Sequence, residues 1–376
     1  MRYYLIAGEP SGDLHASNLM REIAALDAEA EFRFWGGDLM AAVGGTLVRH
    51  YKETAVMGVV DVVTHLGKIM RNFRACQADL LNYRPDALIL IDYPGFNLKM
   101  AEFAHNHNIK VLYYISPKVW ASKEYRIKSM RRNIDRLYTI LPFEVPYFSS
   151  KSVDTYYCGN PVLDAIAARP DADETFQAFC KRNNLDERPK IALVAGSRQS
   201  ELHYCLPEML KAIKHFPEYQ FVIAGAPSFT MADYSPYIEG YDVEVVFGQT
   251  YQLMSQARAA LVTSGTATLE TAILNCPQVI IYLMWGGRFA DFVAHLFIKV
   301  KWIGLVNLIL GREAVDELFQ NKYSEEKMLS DLKLLTDDTP ERAQMLKDYD
   351  ELRRIVGGPG CSHRAAVDMV DFIKNR

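Results

Sequence analysis

Short runs that are apolar at nearly every position alternate along the chain with longer segments whose apolar residues recur at helical spacing. In the first half the runs are Tyr3–Ala7, Phe32–Trp35, Ala87–Asp92, Lys110–Ile115, Leu137–Leu141 and Val153–Cys158. In the second half they are Ile191–Ala195, Phe221–Ala224, Val243–Phe247, Ala260–Thr263 and Val279–Leu283. A strand apolar on both sides of its pleat is covered on both faces, which is the condition of parallel sheets flanked by helices, the α/β class. Eleven strands are many for one open sheet. The pattern therefore predicts two doubly wound, Rossmann-like parallel-sheet domains, over residues 1–165 and 166–344, joined near 160–188. Gly357-Gly358-Pro359-Gly360 breaks any helix, and Ser362 is placed to cap an amphipathic run from His363 to Lys374. By analogy with other two-domain α/β chains, the tail 345–376 is expected to pack back on the first domain.

Composition narrows the function classes. Of 376 residues, 49% are apolar and 23% charged, enough to build full cores and incompatible with disorder or coiled coil. A net charge of −4 excludes a nucleic-acid binder that relies on bulk charge. Six cysteines lie far apart with no CxxC pair, which argues against structural zinc and a disulfide framework and for a reducing compartment. The chain enters directly on the strand-like Arg2–Ala7 without a secretory signal pattern. The longest stretch free of Asp, Glu, Lys and Arg, Thr271 to Gly287, is 17 residues broken by Asn275, Pro277 and two glycines. A soluble protein, or one resting on a membrane surface, is expected.

In open parallel sheets ligands bind beyond the carboxyl ends of the strands, so chemistry is sought there. The first strand runs into Gly8-Glu9-Pro10-Ser11-Gly12-Asp13. Its paired acids would repel a phosphate and suit sugar hydroxyls; a tight turn capped by Ser11 or Asp13 gives the same letters. Another strand ends on Asp92, before Tyr93-Pro94-Gly95-Phe96-Asn97, where a carboxylate could take a proton from a hydroxyl nucleophile or merely cap the next helix. Ser116-Pro-Lys-Val-Trp120 follows a further strand, and residues 118–136 carry seven Lys or Arg against two acids, a solvated face or an attraction for anions. In the second half, Gly196-Ser197-Arg198 is a pyrophosphate seat with a forked donor, unless Arg198 simply pairs with Glu201. Ser264-Gly265-Thr266, with Glu270 one turn on for a ribose diol, also spells a near capping box. Together the two read as a nucleotide-diphosphate site without a metal motif.

Two apolar stretches remain. Trp285 to Leu305 reads as core. Met57 to Met70 is apolar nearly all round in a connection that should be surface, so a lipid-contacting patch rimmed by Lys68, Arg71 and Arg74 competes with a core reading.

Gly8-Glu-Pro-Ser-Gly-Asp13, Met57-Gly58, Ile91-Asp-Tyr-Pro-Gly-Phe-Asn97, Ser116-Pro-Lys-Val-Trp120, Leu141-Pro-Phe-Glu144, Gly196-Ser-Arg198, Ser264-Gly-Thr-Ala-Thr-Leu-Glu270 and Asn307 with Gly311-Arg-Glu313 stand in one order. In these motifs the chain resembles the lipid-A-disaccharide synthases from residue 3 to about 375. The resemblance implies a GT-B glycosyltransferase fold. It implies an inverting enzyme that moves a 2,3-diacylglucosaminyl unit from UDP to the 6-hydroxyl of 2,3-diacylglucosamine 1-phosphate, forming a β(1→6) bond. Carried over, Asp92 matches the base, Glu9 and Ser11 match cleft residues of the first domain counted with it as catalytic, Arg198 and Glu270 match UDP contacts, and Asn307 matches a polar residue on the UDP side. The family's lipid patch corresponds to Val59, Val60, Val62, Val63, Leu66, Ile69 and Met70. No metal or other cofactor is implied. The implied partners are the two lipid substrates and the phospholipid surface, at the cytoplasmic face of the bacterial inner membrane, with no nucleic acid and with a homodimer admitted.

The sequence departs from the family pattern at Asn160, where the family has His, and at Ser122, Leu283 and Val306. Two other readings carry different tests. A GT-B relative on a soluble UDP-GlcNAc-type substrate, 2-epimerase-like, would not depend on the apolar stretch at 57–70. A non-catalytic nucleotide-sugar binding protein would hold UDP and transfer nothing.

Overall fold

The computed structural model describes residues 1–54, 66–263, 265–284 and 301–375. Two units divide the chain: Met1–Pro161 with Pro359–Arg376, and Val162–Gly358. The sheet of the first contains β1 (Arg2–Ala7), β2 (Glu31–Gly36), β3 (Thr46–His50), β4 (Ala87–Ile91), β5 (Lys110–Tyr114), β6 (Arg136–Thr139) and β7 (Thr155–Tyr157), in the order β3-β2-β1-β4-β5-β6-β7. The second unit's sheet contains β8 (Lys190–Val194), β9 (Gln220–Gly225), β10 (Val243–Phe247), β11 (Ala257–Thr263), β12 (Gln278–Tyr282) and β13 (Glu317–Phe319), in the order β10-β9-β8-β11-β12-β13. Every pairing in both sheets is parallel.

The uniformly apolar runs have the expected cause. In β1, Tyr3, Leu5 and Ala7 enter one core with the helix Pro10–Leu26 and the last helix, Cys361–Lys374. Tyr4 and Ile6 enter the opposite core with the helices Leu66–Tyr83 and Pro94–Asn106. With alternate side chains buried on both faces, no position in the strand is left to be polar. All eleven expected strands are present, and β3 and β13 are added. Both additions are edge strands; β3 follows Gly44-Gly45, and its residues Thr46 and Leu47 are exposed, so it lacks an apolar signature.

The boundaries differ from the sequence reading in two places. The segment 162–188 is part of the second unit, because Phe179, Cys180 and Leu185 bury against β8 and β9 residues. The helix Pro340–Val356 also stays with the second unit, with Tyr349, Leu352 and Val356 fully buried and the Gln278 amide donating to the Tyr349 hydroxyl at 3.2 Å. Only Pro359 onward rejoins the first unit. There Asp368 accepts from Arg136 at 3.1 Å and from the Tyr138 hydroxyl at 2.8 Å, and Lys110 donates to the Ile373 carbonyl at 2.8 Å. Ser362 does not cap this helix: Gly360 holds the cap position with no side-chain bond, and Ser362 is buried in the first turn.

Met369 is fully buried between the last helix and the first sheet. Met369→Ala should cost about 2–5 kcal/mol, whereas Val367→Ala at an exposed position should stay within about 0.5 kcal/mol; urea unfolding of the two variants checks this.

Candidate active site

The strand order of the first sheet reverses between β1 and β4, and that of the second between β8 and β11. At such a switch point the connections leave in opposite directions and open a crevice at the carboxyl ends. The chain leaves β1 through Gly8 to Glu9 and leaves β4 at Asp92; it leaves β8 at Gly196-Ser197-Arg198 and β11 just before Gly265-Thr266. The residues expected to carry chemistry thus flank the switch point of each sheet.

The Asp92 turn is strained. Asp92 and Tyr93 both lie in the left-handed region, with φ 42° and 47°, and Ile115 at the end of neighbouring β5 has φ 66°. Non-glycine residues there cost about 1–3 kcal/mol each and persist only where the surroundings fix them. Here the Asn97 amide reaches the Asp92 carbonyl at 2.8 Å, that of Ile91 at 3.1 Å and that of Ile6 at 3.4 Å, joining the ends of β4 and β1. The Tyr113 hydroxyl also donates to the Asp92 carbonyl. Gly8 leaves room for the Tyr93 ring, into which any Cβ at position 8 would project.

The backbone of Asp92 is therefore held while its side chain is left for other work. The helix Pro94–Asn106 begins at Tyr93 with no side-chain cap, so Asp92 is not spent as a cap. Burial raises its pKa above the ordinary 3.8, the charge of Glu9 raises it further, and Lys118 and the Tyr93 amide oppose the rise. Glu9 and Ser11 are exposed at the start of the helix Pro10–Leu26.

Asp13 has a different role from the one its pairing with Glu9 suggested. It accepts the amides of Gly37 at 2.8 Å, Leu39 at 3.1 Å and Met40 at 3.1 Å, closing the N-terminus of the helix Asp38–Val43. Its oxygens are committed to backbone, and no sugar is needed to explain it.

In the second unit, Arg198 stands at the N-cap position of the helix Gln199–Leu210, where its side chain can only donate and Glu201 is the acceptor. Glu201 takes the amides of Ser197 at 2.9 Å and Arg198 at 3.2 Å, and its other oxygen lies 3.2 Å from the Arg198 guanidinium. Those amides are therefore not open donors for a diphosphate. The guanidinium remains 75% exposed against 10% for its partner, which leaves most of its fork available.

Gly265, at φ 132°, begins the helix Thr266–Ile273, a conformation that L side chains rarely adopt. No side chain caps this helix, so Thr266 and Glu270 do not form a box. Thr266 is exposed, and Glu270 accepts from the Tyr251 hydroxyl at 2.8 Å, with burial raising its pKa. Ser264 lies outside the described residues.

Asn307 departs from expectation. It is fully buried, donates to the Val315 carbonyl and Glu317 at 2.8 Å each, and accepts from the amides of Ala314 at 2.7 Å and Val315 at 3.0 Å. Its amide is saturated inside the chain, so it positions the loop before β13 instead of touching a nucleotide. Asn160, the substitute for the family's His, is also buried and donates to the Ile140 carbonyl at 3.1 Å.

A pocket enclosing roughly 400 Å³, open solvent included, lies beside the Asp92 turn. A row of rings forms one wall: Trp35 stacks on Phe96 and Phe96 on Tyr93, with centroids 5.9 and 6.0 Å apart. Ile69 lines this pocket, and Met70 is 50% exposed. Leu66 opens the helix Leu66–Tyr83, and Val59, Val60, Val62 and Val63 lie outside the described residues. Among the described residues no helix is long and apolar enough to cross a membrane. Likewise no three His, Cys, Asp or Glu stand together there as a metal site.

Sequence reasoning missed Asn97 and Tyr113 as the clamps of the Asp92 turn. Asn97 closes the motif that begins at Ile91, which was a usable signal; Tyr113 sits inside an ordinary apolar strand and gave none.

Solved structures share this architecture. A UDP-GlcNAc 2-epimerase from Neisseria meningitidis, bound to UDP-GlcNAc, is similar with a TM-score of 0.65 at 11% identity, covering 100% of both chains. MurG from Acinetobacter baumannii is similar with a TM-score of 0.59 at 12% identity, again covering 100% of both. The fold is thus that of the two-sheet GT-B glycosyltransferases and epimerases. Residues 3–365 match the family described as lipid-A-disaccharide synthetase. The lipid-A-disaccharide synthase of Geobacter metallireducens is 35% identical over 379 aligned positions, covering 99% of this chain and 97% of that protein. That of Nitrosococcus oceani is 34% identical, covering 92% and 90%. The chain belongs to the lipid-A-disaccharide synthetase family, and is a glycosyltransferase.

The raised Asp92 pKa has a consequence for stability. The folded chain holds this proton more tightly than the unfolded chain, so ionisation works against the fold. The cost is absent below the unfolded value near 3.8 and complete once the pH has passed the raised value. Asp92→Asn should therefore melt at a higher temperature than the parent at pH 8, with the difference vanishing as the pH falls towards 3.8; melting curves across that range check it.

Proposed function

We propose that the protein transfers a 2,3-diacylglucosaminyl unit from UDP to the 6-hydroxyl of 2,3-diacylglucosamine 1-phosphate, in one inverting displacement with Asp92 as the base. The observation that carries this reading is the Asp92 turn: a carboxylate at a switch point, uncommitted to capping, on a backbone held by Asn97 and Tyr113. The membership of the chain in the lipid-A-disaccharide synthetase family supplies the substrate class.

The acceptor hydroxyl oxygen forms the new bond to the anomeric carbon while the bond from that carbon to the UDP oxygen breaks. Asp92 receives the hydroxyl proton. A base whose pKa lies above that of a free carboxylate takes the proton with more driving force. In the second unit the exposed Arg198 guanidinium offers forked donors to the diphosphate as it leaves with the electron pair. Glu270, steadied by Tyr251, faces the ribose hydroxyls. The nucleotide lies against Gly196, Ser197, Gly265 and Thr266, with Ser264 a further contact expected from the sequence alone, and Asn307 supports its own loop from behind. Glu9 tunes Asp92, and Ser11 beside it meets the acceptor sugar.

The unit Met1–Pro161 with Pro359–Arg376 holds the acceptor and Val162–Gly358 the UDP-sugar. No metal takes part: the two Asp-x-Asp sequences, Asp171-Ala-Asp173 and Asp348-Tyr-Asp350, lie between the helices Pro161–Ala167 and Phe176–Arg182 and inside the helix Pro340–Val356, neither at a strand end. The protein works on the cytoplasmic face of the inner membrane, held to the phospholipid surface by Val59, Val60, Val62, Val63, Leu66, Ile69 and Met70, without nucleic acid; it is proposed to act as a homodimer.

With the two lipid substrates, mass spectrometry should detect the disaccharide 1-phosphate, and EDTA should leave the rate unchanged. Asp92→Asn should lower kcat at least about 10³-fold with UDP affinity preserved; near-parental turnover would remove Asp92 from the base role. Arg198→Ala should weaken UDP binding about tenfold or more by calorimetry. Because Glu9 raises the Asp92 pKa, Glu9→Gln should move the acid limb of the pH–rate profile to lower pH.

A further inference from the structure

The pocket beside the Asp92 turn has a composition that proton abstraction leaves unexplained. Ile6, Ala7, Ile69 and Phe96 give it an apolar lining, and one cation, Arg49, stands in it. A guanidinium Nη1 of Arg49 donates to the Asn72 side-chain oxygen at 2.8 Å, and its central carbon lies 5.3 Å from the Trp35 ring centroid. Both partners are neutral, and among the described residues no carboxylate pairs with Arg49. The neutral hold orients the fork without supplying an opposite charge, and a guanidinium has five donors.

Trp35 supplies a separate observation. It is 5% exposed, yet its indole N–H finds no partner among the described residues. Buried indole N–H groups usually find one. The pocket thus combines an apolar wall with hydrogen-bond donors that exceed their acceptors. Its complement is an alkyl chain joined to an oxygen anion. Tyr93, the residue after Asp92, is part of the wall, so an occupant lies next to the proposed base.

We propose that this pocket seats the lipid acceptor, with an acyl chain along Ile6, Ala7, Ile69 and Phe96 and the phosphate ester on Arg49. Arg49 is then the residue that selects a phosphorylated acceptor over its uncharged counterpart. This assignment rests on the acceptor reading above and goes beyond it by naming the seat and the anion-reading residue.

Binding can be measured without turnover. Decyl phosphate brominated on its chain, below its aggregation concentration, should quench tryptophan fluorescence, and Trp35→Phe should remove that quench. Arg49→Gln should weaken decyl phosphate at least about tenfold, the loss of a charge-assisted contact, while brominated decanol and methyl decanoate bind within about twofold of the parent. Arg49→Lys keeps the charge and should retain most of the phosphate affinity, which guards against a Gln variant that merely disturbs Trp35. In turnover, Arg49→Gln should raise KM for the phosphorylated acceptor with kcat and the KM for the UDP-sugar unchanged. Equal losses for phosphate, alcohol and ester, or a quench that survives in Trp35→Phe, would overturn the assignment. Failure of the parent enzyme to form disaccharide would instead strike the acceptor reading and leave the binding result to stand by itself.

Discussion

The first unit depends on one side chain that ties two strand ends together. Asn97, at the start of a helix, reaches the carbonyls of Ile6, Ile91 and Asp92, so the ends of β1 and β4 cannot part without breaking that clamp. With the carbonyl of Asp92 held from two sides, the chain can carry two successive left-handed residues where it would otherwise relax. The carboxylate is thereby aimed by its backbone, and its oxygens are left free of the capping duty that most strand-end acids acquire.

Four other acids, all buried, show the contrast. Asp13 closes a helix through three amides, Glu144 takes the amides of Ile140 and Leu141 and the Trp120 indole, and Glu201 takes two amides of the Arg198 turn. Glu317 does the same for Ile303 and Gly304, with Asn307 as its neighbour. Each is a carboxylate used as a brace for a loop, where several N–H groups would otherwise lie buried without acceptors. The motifs of this chain are therefore a mixture of braces and chemistry.

That mixture explains which parts were legible in the sequence. The strands were, because burial on two faces writes itself as an uninterrupted apolar run. The switch-point turns were, because glycine and acid at a strand end stand out against that background. Asp13, open in the sequence to a sugar or a capping role, and Asn307, a ligand contact only through the family resemblance, both brace backbone; a polar residue in a motif looks the same in either role, and only the distances separate the two. Edge strand β3 was lost because its exposed positions have no apolar signature, and Arg49 was passed over because a single arginine in a weak strand carries no pattern. The Gly357–Gly360 break is where the last helix parts from the second unit, while residues 345–356 stay with it because Tyr349 and Leu352 bury there and no sequence signal separates their helix from that unit.

The last helix closes a core whose other members were made much earlier. Cys361, Ala365, Met369 and Val370 fill the face of the first sheet next to Tyr3, Leu5 and Leu19, with the whole of Val162–Gly358 intervening in the chain. The apolar face of the first unit is therefore completed only by residues made after every residue of the second unit. A chain cut short after the second unit would leave that face uncovered, so the two ends of the sequence form one folding unit although nearly two hundred residues separate them.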